Sequence, residues 1–237
     1  MSLGASVPAF ALFVAVEARV ASVGGHPLLR LSLFRMSTIS WVLAALALAT
    51  MAYAALLFVL AIYLQYGLEK GPLYSGLAVL SWVVGFGVPG PTLRWVPEQY
   101  VARSPFGFTL LSAVFLVIAV EGRFSVPQGV PLVALLGFGG LGMGLGFSSL
   151  IGHMTAAVRL DAAPDPSGVV STNSEIASAL GVAGFGTLYL ALAQDHDATI
   201  AVDAFALVAA SLGGAALLAA AAASRSVRHE RMHSMQR

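Results

Sequence analysis

The sequence has no cysteine, which excludes a disulfide framework and any thiolate-bound metal. Charge is almost as scarce. Asp, Glu, Lys and Arg together make up 10% of the 237 residues, where a soluble domain carries about 25%. So few ionic groups cannot clothe a water-soluble surface. The first residues, MSLGASVPAFALFVAVEARV, lack the basic stretch that opens a secretory signal peptide. They read instead as a short membrane helix at about 3–16, cut off at its start. No loop between the apolar runs is long enough to fold as a separate soluble domain.

What is present is hydrophobic: 58% of the chain, gathered into long uncharged runs between short islands of charge. A helix needs roughly 20 apolar residues to cross a bilayer core. Six runs qualify, at about 38–64, 72–93, 104–120, 128–152, 174–194 and 204–224. They are too long and too little alternating for barrel strands, and backbone in lipid must pair within its own segment. The expected fold is an all-α integral membrane protein. A partial linking helix and its connection occupy 1–37, a six-helix transmembrane bundle 38–224, and a basic tail 225–237.

Orientation follows from the cations. With the tail on the cytoplasmic side, Arg19, Arg30, Arg35, Arg94, Arg103, Arg159, Arg225, Arg228, Arg231 and Arg237 share that side, and only Lys70 and Arg123 lie opposite. This is the bias of the positive-inside rule, and it predicts a multi-pass protein of the cell membrane with a cytoplasmic C-terminus. Trp41, Tyr63, Tyr66, Trp95 and Tyr100 fall near predicted helix ends, where aromatic anchors sit.

Within the runs, GFGGLGMGLG contains Gly140-x-x-x-Gly144 and Gly142-x-x-x-Gly146. Small residues one turn apart let helix backbones approach closely in lipid; Gly181, Gly184 and Gly186 extend the same expectation to the next run. GFGGLG also matches a dinucleotide fingerprint formally, but it lies inside an apolar span, without the preceding strand that the fingerprint needs. HERMH at 229–233 matches H-E-x-x-H, yet it sits four residues from the end of a basic tail, with no room for a third ligand or an enclosing pocket. No catalytic group, metal site or cofactor is expected, nor a nucleic-acid partner. GFGVPGP at 85–91 either terminates its helix or leaves a flexible gate at Pro89 and Pro91.

Thr172 and Glu175 form an S/T-x-x-E pattern ahead of an apolar run. One reading is a capping box; the other is an ion or proton site at a membrane face. The spans offer few polar groups: Thr50, Tyr53, Gln65, Trp82, Ser148, Ser149, His153, Asn173 and Tyr189. Tyr53 and Trp82 are either packing residues or an aromatic cavity wall.

Several stretches, in order, carry a resemblance: FVAVEARVASVGGHPLLRLSLFR (13–35), LLFVLAIYLQYGLEKGPLYSGLAVL (56–80), LLGFGGLGMGLGF (135–147) and PDPSGVVSTNSEIASALGVAGFGTL (164–188). Together they resemble the C-terminal part of a major facilitator superfamily transporter, in the fourteen-helix drug:proton antiporter branch. The resemblance implies the second six-helix half of a multidrug efflux transporter, not transport-competent alone. Its partners would be the lipid bilayer, small apolar or cationic compounds, protons through a missing N-terminal half, and a second bundle or another copy of the chain. It also implies that the runs at 38–64, 72–93, 128–152 and 174–194 surround the pathway, with Tyr53, Gln65, Trp82 and Asn173 as candidate lining, while the runs at 104–120 and 204–224 face lipid. Where the family carries a Gly-Asp-Arg signature, this chain reads PGPTLRWVPEQYVAR, with Arg94 and Arg103 but no Asp. No coupling role transfers to Glu175. The alternative is a non-transporting membrane scaffold or partner subunit.

Overall fold

The computed structural model describes residues 37–93, 104–157, 166–193 and 197–234. Among the described residues every regular element is helical. Helix α1, Ser37–Ile62, runs on through a wide π-helical turn at Tyr63–Gly67. Helix α2 spans Pro72–Gly87 and, past Val88, continues as the short piece Pro89–Leu93. Helix α3 is Ser104–Phe124 and α4 is Gly129–Ala157. Helix α5 comprises Pro166–Gly181, a second π-helical turn at Val182–Gly186, and Thr187–Leu192. Helix α6 is Ala198–Ser234. Six segments of 20 to 29 residues are long and apolar enough to cross a membrane, so the chain is a multi-pass, all-α membrane bundle.

The helix starts have local causes. Gly71 is extended and Pro72 takes the first helical position of α2, where a missing N–H costs nothing. Asp197 precedes α6 and accepts from the backbone N–H and the hydroxyl of Thr199 at 2.9 and 2.7 Å. The hydroxyl bond first, and the amide bond with it, hold the Asp197 carboxyl below the ordinary carboxylate range. The turn before α2 places Glu69 at φ 52°, a left-handed conformation uncommon for a side chain of this size.

Packing follows an open ring in the order α5–α1–α6–α3–α4–α2, each helix lying along the next. Helices α2 and α5 form the two lips and make no extended contact with each other. They are also the least covered: 22% of each apolar window is buried, against 44–61% in the other four. Polar ties cross the ring. The Ser112 hydroxyl donates to the Gly213 carbonyl at 2.8 Å, and the Tyr63 hydroxyl donates to the Pro127 carbonyl at 3.0 Å. The Gly129 N–H donates to the Tyr74 hydroxyl at 2.6 Å, and the Asn173 amide to the Leu43 carbonyl at 3.2 Å. At one end of the bundle the Arg225 guanidinium lies 4.7 Å from the Trp41 ring centre. At the other, Arg123 pairs with Asp203 at 4.0 Å.

The glycines of α4 point to two neighbours. A methyl group at Gly140 would strike the Trp82 carbonyl, and one at Gly144 would meet the Phe86 carbonyl at 2.5 Å. One at Gly142 would lie 2.8 Å from the Gly107 carbonyl, and one at Gly146 2.6 Å from the Phe108 ring. The first pair seats α4 on α2, and the second seats it on α3. Gly181 abuts the Met51 carbonyl of α1, and Gly186 the Phe58 ring. Gly184 does not share this role, because nothing stands within 4 Å of a side chain built there.

Several expectations change. Tyr63 is wholly buried and stacks on Phe205 at 4.1 Å, so it is a core residue and not an interfacial anchor; Tyr66, 74% exposed, keeps that position. Helix α3 runs to Phe124 rather than 120, which brings Glu121 into the span. Helix α6 passes residue 225 without a break, so HERMH continues its backbone, though the side chains of that motif lie outside the described residues. So do the linking helix, the arginine-bearing segments at 17–36, 94–103 and 158–165, Trp95, Tyr100, Arg237 and the side chain of His153.

Candidate functional site

A cavity of about 350 Å³ opens between the lips of the ring. Thr50 and Tyr53 reach it from α1, Trp82 and Phe86 from α2, Met143 and Phe147 from α4, and Ser174 and Ser178 from α5. These are the four helices that the resemblance placed around a pathway; among the described residues α3 and α6 contribute none to the lining. The volume lies within the range of small-molecule sites.

Trp82 is the centre of the wall. It is 1% exposed, and its indole stacks with Tyr53 at 5.7 Å and 17° and with Phe115 at 6.1 Å and 8°. Room for the indole comes from Gly139, where an added methyl would lie 2.6 Å from the six-membered ring. Phe86 and Phe147 add a tilted pair at 6.0 Å. Two polar atoms in this lining have no hydrogen-bond partner: the Trp82 indole Nε1 and the Thr50 hydroxyl. A buried polar group left unpaired costs about 1–3 kcal/mol. Two beside one cavity are an expense that packing alone does not explain.

Of the residues singled out in the sequence, the structure brings Tyr53 and Trp82 together in this wall. Gln65 lies in the π-helical turn that follows α1, away from the cavity lining. Asn173 instead ties α5 to the backbone of α1. Thr172 and Glu175 are exposed. The capping box does not form at Thr172, because α5 begins earlier, at Pro166: a proline at the first helical position starts the helix nearly two turns upstream and leaves Thr172 in its interior. Met143, Phe86, Phe147, Ser174 and Ser178 were not singled out, for nothing in their spacing separates lining from ordinary packing. Glu121 was missed as a membrane acid. It sits in the last turn of an apolar helix, and its Oε2 is buried without a partner. Among the described residues no group of side chains could hold a metal ion.

Fold and cavity together define a multi-pass helical membrane protein whose four inner helices enclose a small, aromatic-walled space. Sequence comparison adds relatives of a consistent kind. The chain is 32% identical over 195 residues to the "Probable actinorhodin transporter" of Streptomyces coelicolor, covering 81% of this chain and 34% of the relative. It is 27% identical over 221 residues to the multidrug efflux pump LfrA of Mycolicibacterium smegmatis, covering 89% of this chain and 42% of the relative. The chain thus spans about a third to two fifths of the length of these transporters. No protein-family profile matches it, and no solved structure does.

Proposed function

We propose that the chain forms one six-helix bundle of a multidrug-type efflux transporter of the major facilitator kind, in the fourteen-helix drug:proton antiporter branch, with its C-terminus in the cytoplasm. The open ring carries this reading. A cavity walled by α1, α2, α4 and α5, with both lips uncovered, is half of a site that a second bundle would complete, and alternating access works by rocking two such bundles about a midplane site. The similarity to two transporters supports the same reading. Coupling to protons is part of the proposal. Glu121, in the last turn of an apolar span with one carboxylate oxygen buried and unpartnered, is an acid of this bundle that a proton could use, since such an oxygen is costly to keep ionised.

The test is export of a fluorescent aromatic dye from cells that lack their own pumps. They would express the chain alone, or together with the remaining N-terminal portion of LfrA. The expected result is no export by the chain alone and pH-gradient-dependent export with the second part, reduced by Glu121→Gln. Robust export by the isolated monomer overturns the half-site reading. A stable oligomer that exports nothing with its complement, and whose cavity no compound protects, establishes the scaffold alternative instead.

A further inference from the structure

We infer that the cavity between α1, α2, α4 and α5 recognises uncharged planar aromatic compounds bearing a carbonyl oxygen, with the Trp82 indole N–H and the Thr50 hydroxyl as the donors. This rests on the efflux reading and narrows it, for that reading allows apolar and cationic compounds alike.

Three observations converge. The wall is built of flat π surfaces: Tyr53 stacked on Trp82 at 5.7 Å, with Phe86 and Phe147 beside them. Stacked geometry favours a ring ligand of similar thickness. Among the described residues no acidic side chain lines the cavity, so a cation entering it would lose water and gain ring faces but no carboxylate. Its polar groups are hydroxyls and one indole N–H. The indole can only donate, and both it and the Thr50 hydroxyl are unpartnered on residues at least nine-tenths buried. An aromatic carbonyl supplies what these two donors lack: an acceptor with two lone pairs at the edge of a flat apolar body. Both donor atoms lie beneath the surface, so a ligand must displace part of the lining to reach them. A site of this kind rejects an analogue without the oxygen, because the donors then stay unpaired.

The chain has no cysteine, which makes it a ready background for a single reporter. Ser178→Cys lines the cavity from α5, and its labelling by a small maleimide would be followed in lipid nanodiscs. Protection would be measured with anthraquinone, with anthracene (the same rings without carbonyls) and with the 10-methylacridinium cation. Anthraquinone is expected to protect at concentrations at least about tenfold lower than either of the others, as one good hydrogen bond implies. Thr50→Val, which keeps the shape, is expected to erase most of that preference with anthracene unaffected, and Trp82→Phe, which keeps an aromatic face but no N–H, the rest. Equal protection by anthraquinone and anthracene, or stronger protection by the cation, overturns the inference even if the chain exports dyes with its complement. Carbonyl-selective protection without any such export upholds it and sinks the transport reading alone. If Trp82→Phe does not fold, the Thr50→Val comparison decides by itself.

Discussion

At the scale of single residues, contact distances separate positions that look alike in the sequence. Gly140 and Gly184 are both glycines in apolar helices, but only Gly140 lies against a neighbouring backbone. Gly140→Ala should therefore destabilise the bundle by about 1–3 kcal/mol through overpacking. Gly184→Ala should be neutral, or stabilising by about 0.5–1 kcal/mol, because alanine is the better helix former. Thermal unfolding of both variants in the same detergent checks the contrast. Thr50→Val should raise the stability of the ligand-free chain by about 1 kcal/mol, since it removes a buried hydroxyl with no partner, while weakening binding. Asp197 gives a pH dependence. Its carboxyl is held below the ordinary value of about 3.9, so its capping contribution is fully present above that value and is lost as pH falls through the depressed one. The Thr199 amide resonance should shift over that lower window, and Asp197→Asn should abolish the shift. An unchanged titration in the variant would refute the cap.

At the scale of helices, most of the architecture was legible and the boundaries were not. Uncharged runs of about 20 residues have one stable form in lipid, so all six crossings could be read directly. Their ends depend on single contacts. Pro166 starts α5 before the apolar run begins, and the capping pattern at Thr172 was therefore misleading. Glu121 and Arg123 lie in the last turn of α3, where Arg123 meets Asp203 of α6 at 4.0 Å, a pairing invisible in a linear pattern. The glycine spacing in α4 was readable, but not that alternate glycines serve different partners. Of the cavity, Tyr53 and Trp82 could be named as aromatic groups in apolar runs. The serines of α5 and the phenylalanines of α2 and α4 become lining only through the third dimension. At the proline pair the helix does not end: Val88 keeps helical dihedrals and the short piece Pro89–Leu93 follows it.

At the scale of the whole molecule, alternating helices place the start of α1 and the end of α6 at one end, as the contact of Trp41 with Arg225 records. The turn after α1, carrying the exposed Tyr66, belongs to the other. Single cysteines at Tyr66 and Arg225 should thus be labelled by an impermeant reagent from opposite sides of intact cells, Tyr66→Cys from outside. Labelling of both from one side would refute the threading.

The two glycine seams of α4 limit how such a bundle can move. Where backbone rests on backbone there is no cushion of side chains in which one helix can slip past another. Helices α2, α3 and α4 should consequently travel as one slab, and any widening around a cargo falls to α5 and α1 hinging away from it. Spin-label pairs across α2 and α4 should hold their spacing when a compound binds, while pairs between α2 and α5 should spread.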